Sequence, residues 1–363
     1  MHKKLFIPGP IEVREEILKE MGRPMIGHRT KDFEALFLNI KPKLQNLLYT
    51  KNDVLISTSS GSGFMEAAVR NCVSKKVLSC VCGAFSDKWK EIAIACGKEA
   101  DVVSVEWGKA IKPEMVEEKL SSGNYEAVHV THCETTTGVL NPIEEISEIM
   151  KTYPDVLFFV DAVSSMGGIK IDVDKLGIDI CLSSSQKAIG LPPGIAVASV
   201  SPKAYEKAKT VLGRGYYFDL IELKKSYEKN QTSYTPSVSH LYALDKQLDY
   251  MLKEGIENRF ERHRQMGEMT RKWAVESGFE IFAEEGYESD TVSCMTNSKK
   301  VDLKKLKEEL GKKGYLFDSG YRKLNEKLEA KGKMLTFRIA HMGDLTLADL
   351  RKYLDDIGSL ATI

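Results

Sequence analysis

The chain of 363 residues lacks an excess of either charge, since 52 Lys and Arg stand against 52 Asp and Glu. No long-range field therefore draws it to nucleic acid or to an anionic membrane surface. It lacks any apolar run near the roughly 18 residues that a membrane helix needs. Its opening, MHKKLFIPGP, has an apolar run of three residues before proline, too short for a secretory leader. It lacks a CxxC pair, and its seven cysteines are an odd number, which argues against both a disulfide framework and a metal site. Cys80 and Cys82 sit in one apolar, strand-like run and face opposite sides of it. Buried free thiols in a reducing compartment are the reading, and the expected location is the cytoplasm. Internal repeats and low-complexity tracts are absent too, which leaves ordinary globular domains.

What is present is a 42% hydrophobic, 29% charged chain, too long for one compact core. Between residues 53 and 201 apolar runs alternate with helix-period segments. DVLIST, KVLSCVC, DVVSVEW, AVHVTH, VLFFVDA, DICLSSS and IAVASVS read as seven strands covered on both faces. FMEAAVRNCV, FSDKWKEIAIACG, KPEMVEEKL and NPIEEISEIM read as the helices between them. This alternation predicts an α/β fold with a mostly parallel seven-stranded sheet sandwiched by helices. Beyond it come two long helices, a strand near Thr291, a Lys/Glu-rich helix at 301–314, a strand over 335–339 and a last helix with a capping-box start at Thr346. The predicted division is a large domain with the N-terminal segment over 1–253, and a smaller α+β domain over 254–363. The Lys/Glu-rich helix reads as a solvated face rather than a docking surface.

In a parallel sheet ligands sit at the carboxyl ends of the strands, so the residues just after each strand are examined for chemistry. SSSQKAIGLPPG puts Lys187 there, in a turn of small residues, where burial lowers an amine's pKa and makes it a nucleophile toward carbonyls. VLFFVDAVSS ends a buried strand on Asp161, a carboxylate that needs a cationic partner. A protonated pyridine nitrogen is one, and Asp161 and Lys187 at two strand ends point to pyridoxal phosphate. STSSGSGFMEAAV runs from a strand through a Ser/Gly turn into a helix start suited to phosphate. It is neither a dinucleotide fingerprint nor a P-loop. Phe85 follows another strand with a flat face to stack, and Thr135 follows a third with a hydroxyl to donate. Arg338, in MLTFRIAHMG, offers a planar fork for a carboxylate. Taken singly, each has a plainer reading as a loop lysine, a cap, a core aromatic, a Thr-rich turn or an edge-strand ion pair.

PGPIEV, GHR at 27–29, SGSG, HCETTTGV, VDAVSS, SSSQKAIGLPPG, YYFDL, YTP and FRIAHMG follow one another along nearly the whole chain. In that order they resemble the class V aminotransferases of fold type I, nearest the alanine–glyoxylate and serine–pyruvate branch. The resemblance implies a transaminase acting on small amino acids and keto acids through a Lys187 Schiff base. It implies that Asp161 pairs with the ring nitrogen, Val163 packs under the ring and Phe85 stacks above it. Ser62, Gly63 and Phe64 would supply phosphate contacts, Gln186 would lie beside the lysine, and Thr135 near the ring hydroxyl. Arg338 would bind the α-carboxylate and Gly9 would line the substrate entrance. Tyr234 and Thr235 would reach the phosphate from a second subunit, so a homodimer with sites at the subunit interface is implied. Phe64 departs from relatives with a polar residue or His there, and leaves only its amide for the phosphate. The segment NQTSYTP leaves open which of Gln231, Tyr234 and Thr235 makes the cross-subunit contact.

Rival readings have their own residue requirements. A class V lyase such as a cysteine desulfurase resembles enzymes with a nucleophilic Cys on a small-domain loop and a His on the ring. Residues 311–333 contain no Cys, and Phe85 takes the stacking place. A phosphoserine or aspartate aminotransferase needs further cations for the distal acid. A non-catalytic subunit of the same fold would have lost Lys187 or Asp161.

Overall fold

The structure, a computed structural model, describes residues 2–360. Its centre is a seven-stranded sheet of β1 (Asp53–Ser57), β2 (Lys76–Val81), β3 (Glu99–Ser104), β4 (Ala127–Thr131), β5 (Leu157–Asp161), β6 (Ile180–Ser184) and β7 (Ala196–Val200). The order across the sheet is β1-β7-β6-β5-β4-β2-β3. All neighbours run parallel except β7, which is antiparallel to both β1 and β6. Every residue of β4, β5, β6 and β7 is buried, which is why these strands read as continuous apolar runs rather than alternating ones.

Helices α1 (Lys31–Leu47), α2 (Gly61–Cys72), α3 (Ala84–Ala95), α4 (Pro113–Ser122) and α5 (Ile143–Lys151) cover the sheet. The sequence puts the start of α2 at Phe64, but it begins three residues earlier. Gly61 and Gly63 therefore stand in its first turn, where the residues' small size matters more than their low helix propensity. Strand β3 begins two residues before the expected 101 and ends at Ser104, because it follows β2 in register from Lys76↔Glu99 to Val81↔Ser104.

Two long helices, α6 (Val238–Glu254) and α7 (Ile256–Glu276), meet at Gly255, whose φ of 88° turns the chain. Beyond them a three-stranded antiparallel sheet forms from β8 (Glu280–Ile281), β9 (Val292–Thr296) and β10 (Thr336–Ala340). The last helix, α8 (Leu347–Leu360), starts with the expected capping box. Thr346 and Asp349 exchange side-chain and backbone bonds of 3.1 Å. One apolar core runs through the large sheet and its helices, and a second lies around β9, β10 and α8. Phe6 belongs to the second core. It stacks on Tyr353 at 3.8 Å, while Lys4–Leu5 pairs with Tyr315–Leu316. The N-terminal segment thus crosses from one core to the other.

Candidate active site

Register brings the carboxyl ends of β4, β5 and β6 side by side: Thr131 lies opposite Asp161, and Asp161 opposite Leu182. A cavity of about 190 Å³ opens there. Ser62, Phe85, Thr135, Asp161, Val163, Gln186 and Lys187 line it, joined by Ser60, Gly61, Met65, Lys88, Cys133, Ser164 and Ser184. Seven expected residues, scattered over 126 positions of sequence, therefore face one space.

Lys187 stands three residues past β6 and is 9% exposed. Burial, and then the positive field of Arg338, lower its pKa to about 8. Its Nζ donates to the carbonyl of Pro8 and lies 6.0 Å from the centre of the Phe85 ring. Gly9 adjoins it so closely that a Cβ there would sit 2.9 Å from Lys187 Cε and Nζ. The turn that carries the lysine is clamped from the far side. Fully buried Arg259 on α7 donates to Ala188 O at 2.9 Å and Gly167 O at 2.8 Å, and pairs with Asp344 at 2.8 Å. Gln247 donates to Ile189 O at 2.9 Å.

Asp161 ends β5 and is 3% exposed. Its Oδ1 accepts from the Val163 amide at 2.8 Å. No Lys or Arg among the described residues forms an ion pair with it, and burial pushes its pKa up to about 7. A buried carboxylate without a cationic partner is the mark of a site that expects a cation. On the neighbouring wall, Thr135 and Ser164 share a hydroxyl hydrogen bond of 2.5 Å. Glu134, fully buried, accepts from the amides of Phe85, Ser86 and Thr136 and from Ser86 Oγ. It thereby caps α3 and fixes Phe85 in the first helical turn.

The other expected residues lie differently. Gly63 and Phe64 stand behind the cavity. The Gly63 amide turns back to Ser60 O, and Phe64 packs on Phe218 with ring centres 6.2 Å apart. The cavity wall has Gly61 and Ser62 in the first turn of α2 instead. The tightness there is real, since a Cβ on Gly61 would come within 2.8 Å of Val163. Arg338 reaches the site through its neighbour, Nη1 donating to Thr135 O at 2.9 Å. Tyr234 and Thr235 face a separate small pocket with Thr58 and Tyr217, not the cavity of their own chain. Glu134 and Ser164 were within motifs already singled out, HCETTT and VDAVSS, but only the fold shows what they hold. Arg259 and Asp318 carried no sequence signal, because the contacts that tie them to the site, Ala188 O and the Arg338 guanidinium, are 71 and 20 residues away.

The residues fit pyridoxal phosphate. Asp161 is a carboxylate in want of a cation, Lys187 is a buried amine with a lowered pKa, and the first turn of α2 presents backbone amides and a hydroxyl to the same cavity. Among the described residues no group of His, Cys, Asp and Glu is arranged to hold a metal ion. No described helix is long and apolar enough to cross a membrane, and the seven cysteines are free thiols.

Residues 12–347 match the family described as "Aminotransferase class-V". An uncharacterised aminotransferase of Methanocaldococcus jannaschii is 42% identical, over 94% of this chain and 88% of its own. A soluble hydrogenase 42 kDa subunit of Anabaena cylindrica is 34% identical, over 95% and 90%. A serine–glyoxylate aminotransferase of Methylorubrum extorquens is 33% identical, over 94% and 86%. Among solved structures, alanine–glyoxylate aminotransferase from Nostoc superposes with a TM-score of 0.91 at 25% identity, covering 99% of this chain and 95% of that one.

Proposed function

The chain belongs to the class V aminotransferases, which are pyridoxal-phosphate-dependent transaminases, and from that premise we propose that it moves an amino group from L-alanine or L-serine to glyoxylate or pyruvate, with Lys187 as the cofactor's anchor. The observation that carries the reading is the pairing, in one cavity, of a buried amine with a lowered pKa and a buried carboxylate that forms no ion pair among the described residues.

Pyridoxal phosphate, when bound, supplies an electron sink for charge that develops at the substrate's Cα. The protein's part is to hold, orient and move protons. Lys187 Nζ, with a pKa of about 8, is neutral in a large fraction of molecules at mildly alkaline pH, and so acts as nucleophile and then as general base at Cα. Asp161 would hold the proton on the ring nitrogen, and a cation beside it would draw its own pKa back down. Phe85 and Val163 would confine the ring, Thr135 would serve its hydroxyl, and Ser62 with the first amides of α2 would hold the phosphate; of these Ser62, Phe85, Thr135, Asp161 and Val163 line the cavity. Arg338 would take the α-carboxylate, Gly9 would line the substrate entrance and Gln186 would stand beside Lys187. No arginine among the described residues lines the cavity itself, so with Arg338 engaged by the α-carboxylate none is left for a distal acid, which supports small substrates.

The test is amino transfer itself. Purified protein supplied with pyridoxal phosphate, L-alanine or L-serine, and glyoxylate is expected to yield glycine. Lys187→Ala is expected to lower the rate by about 10²- to 10⁴-fold. Glycine formed from neither donor would discard the substrate assignment, and undiminished turnover in Lys187→Ala would discard the anchor.

A further inference from the structure

Asp318 is the charged residue of this site that no motif singled out. It lies beside β10: Arg338 N donates to Asp318 O at 3.1 Å, and the two residues form an isolated antiparallel bridge. Its carboxylate grips one edge of the guanidinium, with Nε to Oδ1 at 3.1 Å and Nη2 to Oδ2 at 3.0 Å. The Gly320 amide holds Oδ1 in turn, at 2.8 Å. Both side chains are largely buried, Arg338 8% exposed and Asp318 17%. Tyr321 packs against the guanidinium at 5.6 Å and against Phe85 at 6.1 Å, which ties the pair to the cavity wall.

A guanidinium has five N–H donors. Asp318 uses two, and Thr135 O uses one of the two on Nη1. One remains on each terminal nitrogen, enough for one carboxylate. We propose that Asp318 is a positioning and specificity residue: it fixes Arg338 with a single free edge for the substrate's α-carboxylate, and its charge selects substrates with one acidic group over those with two. The inference rests on Arg338 as the carboxylate binder. The pair is electrically neutral, so it offers a shaped contact rather than a general anion sink. A second acidic group near Arg338 would meet a fixed negative charge and no unpaired cation, which is selection by repulsion. Lys88, the one other lysine lining the cavity besides Lys187, is exposed at its rim.

The experiment uses the holoenzyme, wild type and the Asp318→Asn and Asp318→Glu variants. Two quantities are read: kcat and KM for L-alanine and L-aspartate, and Kd for pyruvate and oxaloacetate from perturbation of the cofactor's visible band. Wild type is expected to favour L-alanine, and pyruvate over oxaloacetate. In Asp318→Asn both preferences are expected to fall by about tenfold, with KM for L-alanine rising more than kcat falls. Asp318→Glu, which keeps the charge, is expected to keep the preference. Folded variants, judged by melting temperature, whose preferences move less than twofold would reduce Asp318 to a structural partner and overturn the inference. A wild type that prefers L-aspartate would overturn it as well and shift attention to Lys88. Failure of the functional reading looks different: no turnover of either amino acid, while the pyruvate-to-oxaloacetate Kd ratio still moves in Asp318→Asn.

Discussion

At the scale of single residues, Asp161 sets function against stability. Its pKa is raised from 3.8 to about 7 by burial, so the folded chain holds a proton that the unfolded chain releases between about pH 4 and pH 7. Stability therefore falls as pH rises through that window and stays lower above it. Without cofactor, Asp161→Asn is expected to melt above wild type at pH 8, by a margin on the order of a few kcal/mol, and to converge with it near pH 4. With pyridoxal phosphate added, the order is expected to reverse, because only the carboxylate gains from the cation. Calorimetry at the two pH values checks both halves. A cofactor-free wild type that melts higher at pH 8 would show that a partner already neutralises the carboxylate. Lys187 and Asp161 were legible in the sequence as a pair, because one ends a buried apolar strand and the other stands just past another, at the carboxyl edge of the sheet. Asp318 was not, since a carboxylate in DSGYRK has no meaning until β10 brings Arg338 beside it.

At the scale of elements, two connections carry the site. Glu134 closes the amino end of α3 by accepting three hydrogen bonds, from the Phe85 and Ser86 amides and Ser86 Oγ, so the helix that presents Phe85 depends on a residue 49 positions away. Glu134→Ala leaves several buried donors unpaired at about 1–3 kcal/mol each and is expected to be markedly destabilising, Glu134→Gln less so. Denaturant unfolding monitored by circular dichroism separates them, and equal, small effects would show that water replaces the carboxylate. The second connection is Phe6. A boundary at 253/254 remains a proposal drawn from the change of sequence character, yet Phe6 packs into the core around Tyr353. Phe6→Ala is expected to lose about 3–5 kcal/mol. A fragment of residues 254–363 is expected to fold only when a peptide spanning Phe6 is supplied, as read by hydrogen exchange of the β9 amides. The alternation of strands and helices was legible because buried strands and amphipathic helices have different periods. The start of α2 was not, because Gly and Ser in a helix's first turn look like loop until the cavity explains their size.

At the scale of the whole molecule, the open matter is assembly. Tyr234 and Thr235 do not face the cavity of their own chain, and Tyr234 instead stacks on Tyr217 at 4.7 Å, beside exposed Tyr216 at 5.4 Å. We propose a homodimer in which this segment completes the partner's site, a contact that the family resemblance implies and that composition and periodicity do not show, because it joins two copies of the chain. The expected outcome is complementation. Lys187→Ala and a Tyr234→Ala/Thr235→Ala double variant, each inactive alone, are expected to regain roughly a quarter of wild-type activity when unfolded and refolded together, since half the dimers are mixed and each holds one intact site. No recovery from a verified mixture of dimers would place all the site residues in one chain.

The most direct test of the central claim is to find the atom that holds the cofactor. Purified protein incubated with pyridoxal phosphate is treated with borohydride, which reduces an imine to a stable amine, and the digested peptides are weighed. The expected result is one phosphopyridoxyl adduct, on the peptide containing Lys187, suppressed when excess L-alanine is present before reduction. An adduct confined to other lysines, or none at saturating cofactor, would contradict the assignment of Lys187 and the chemistry built on it.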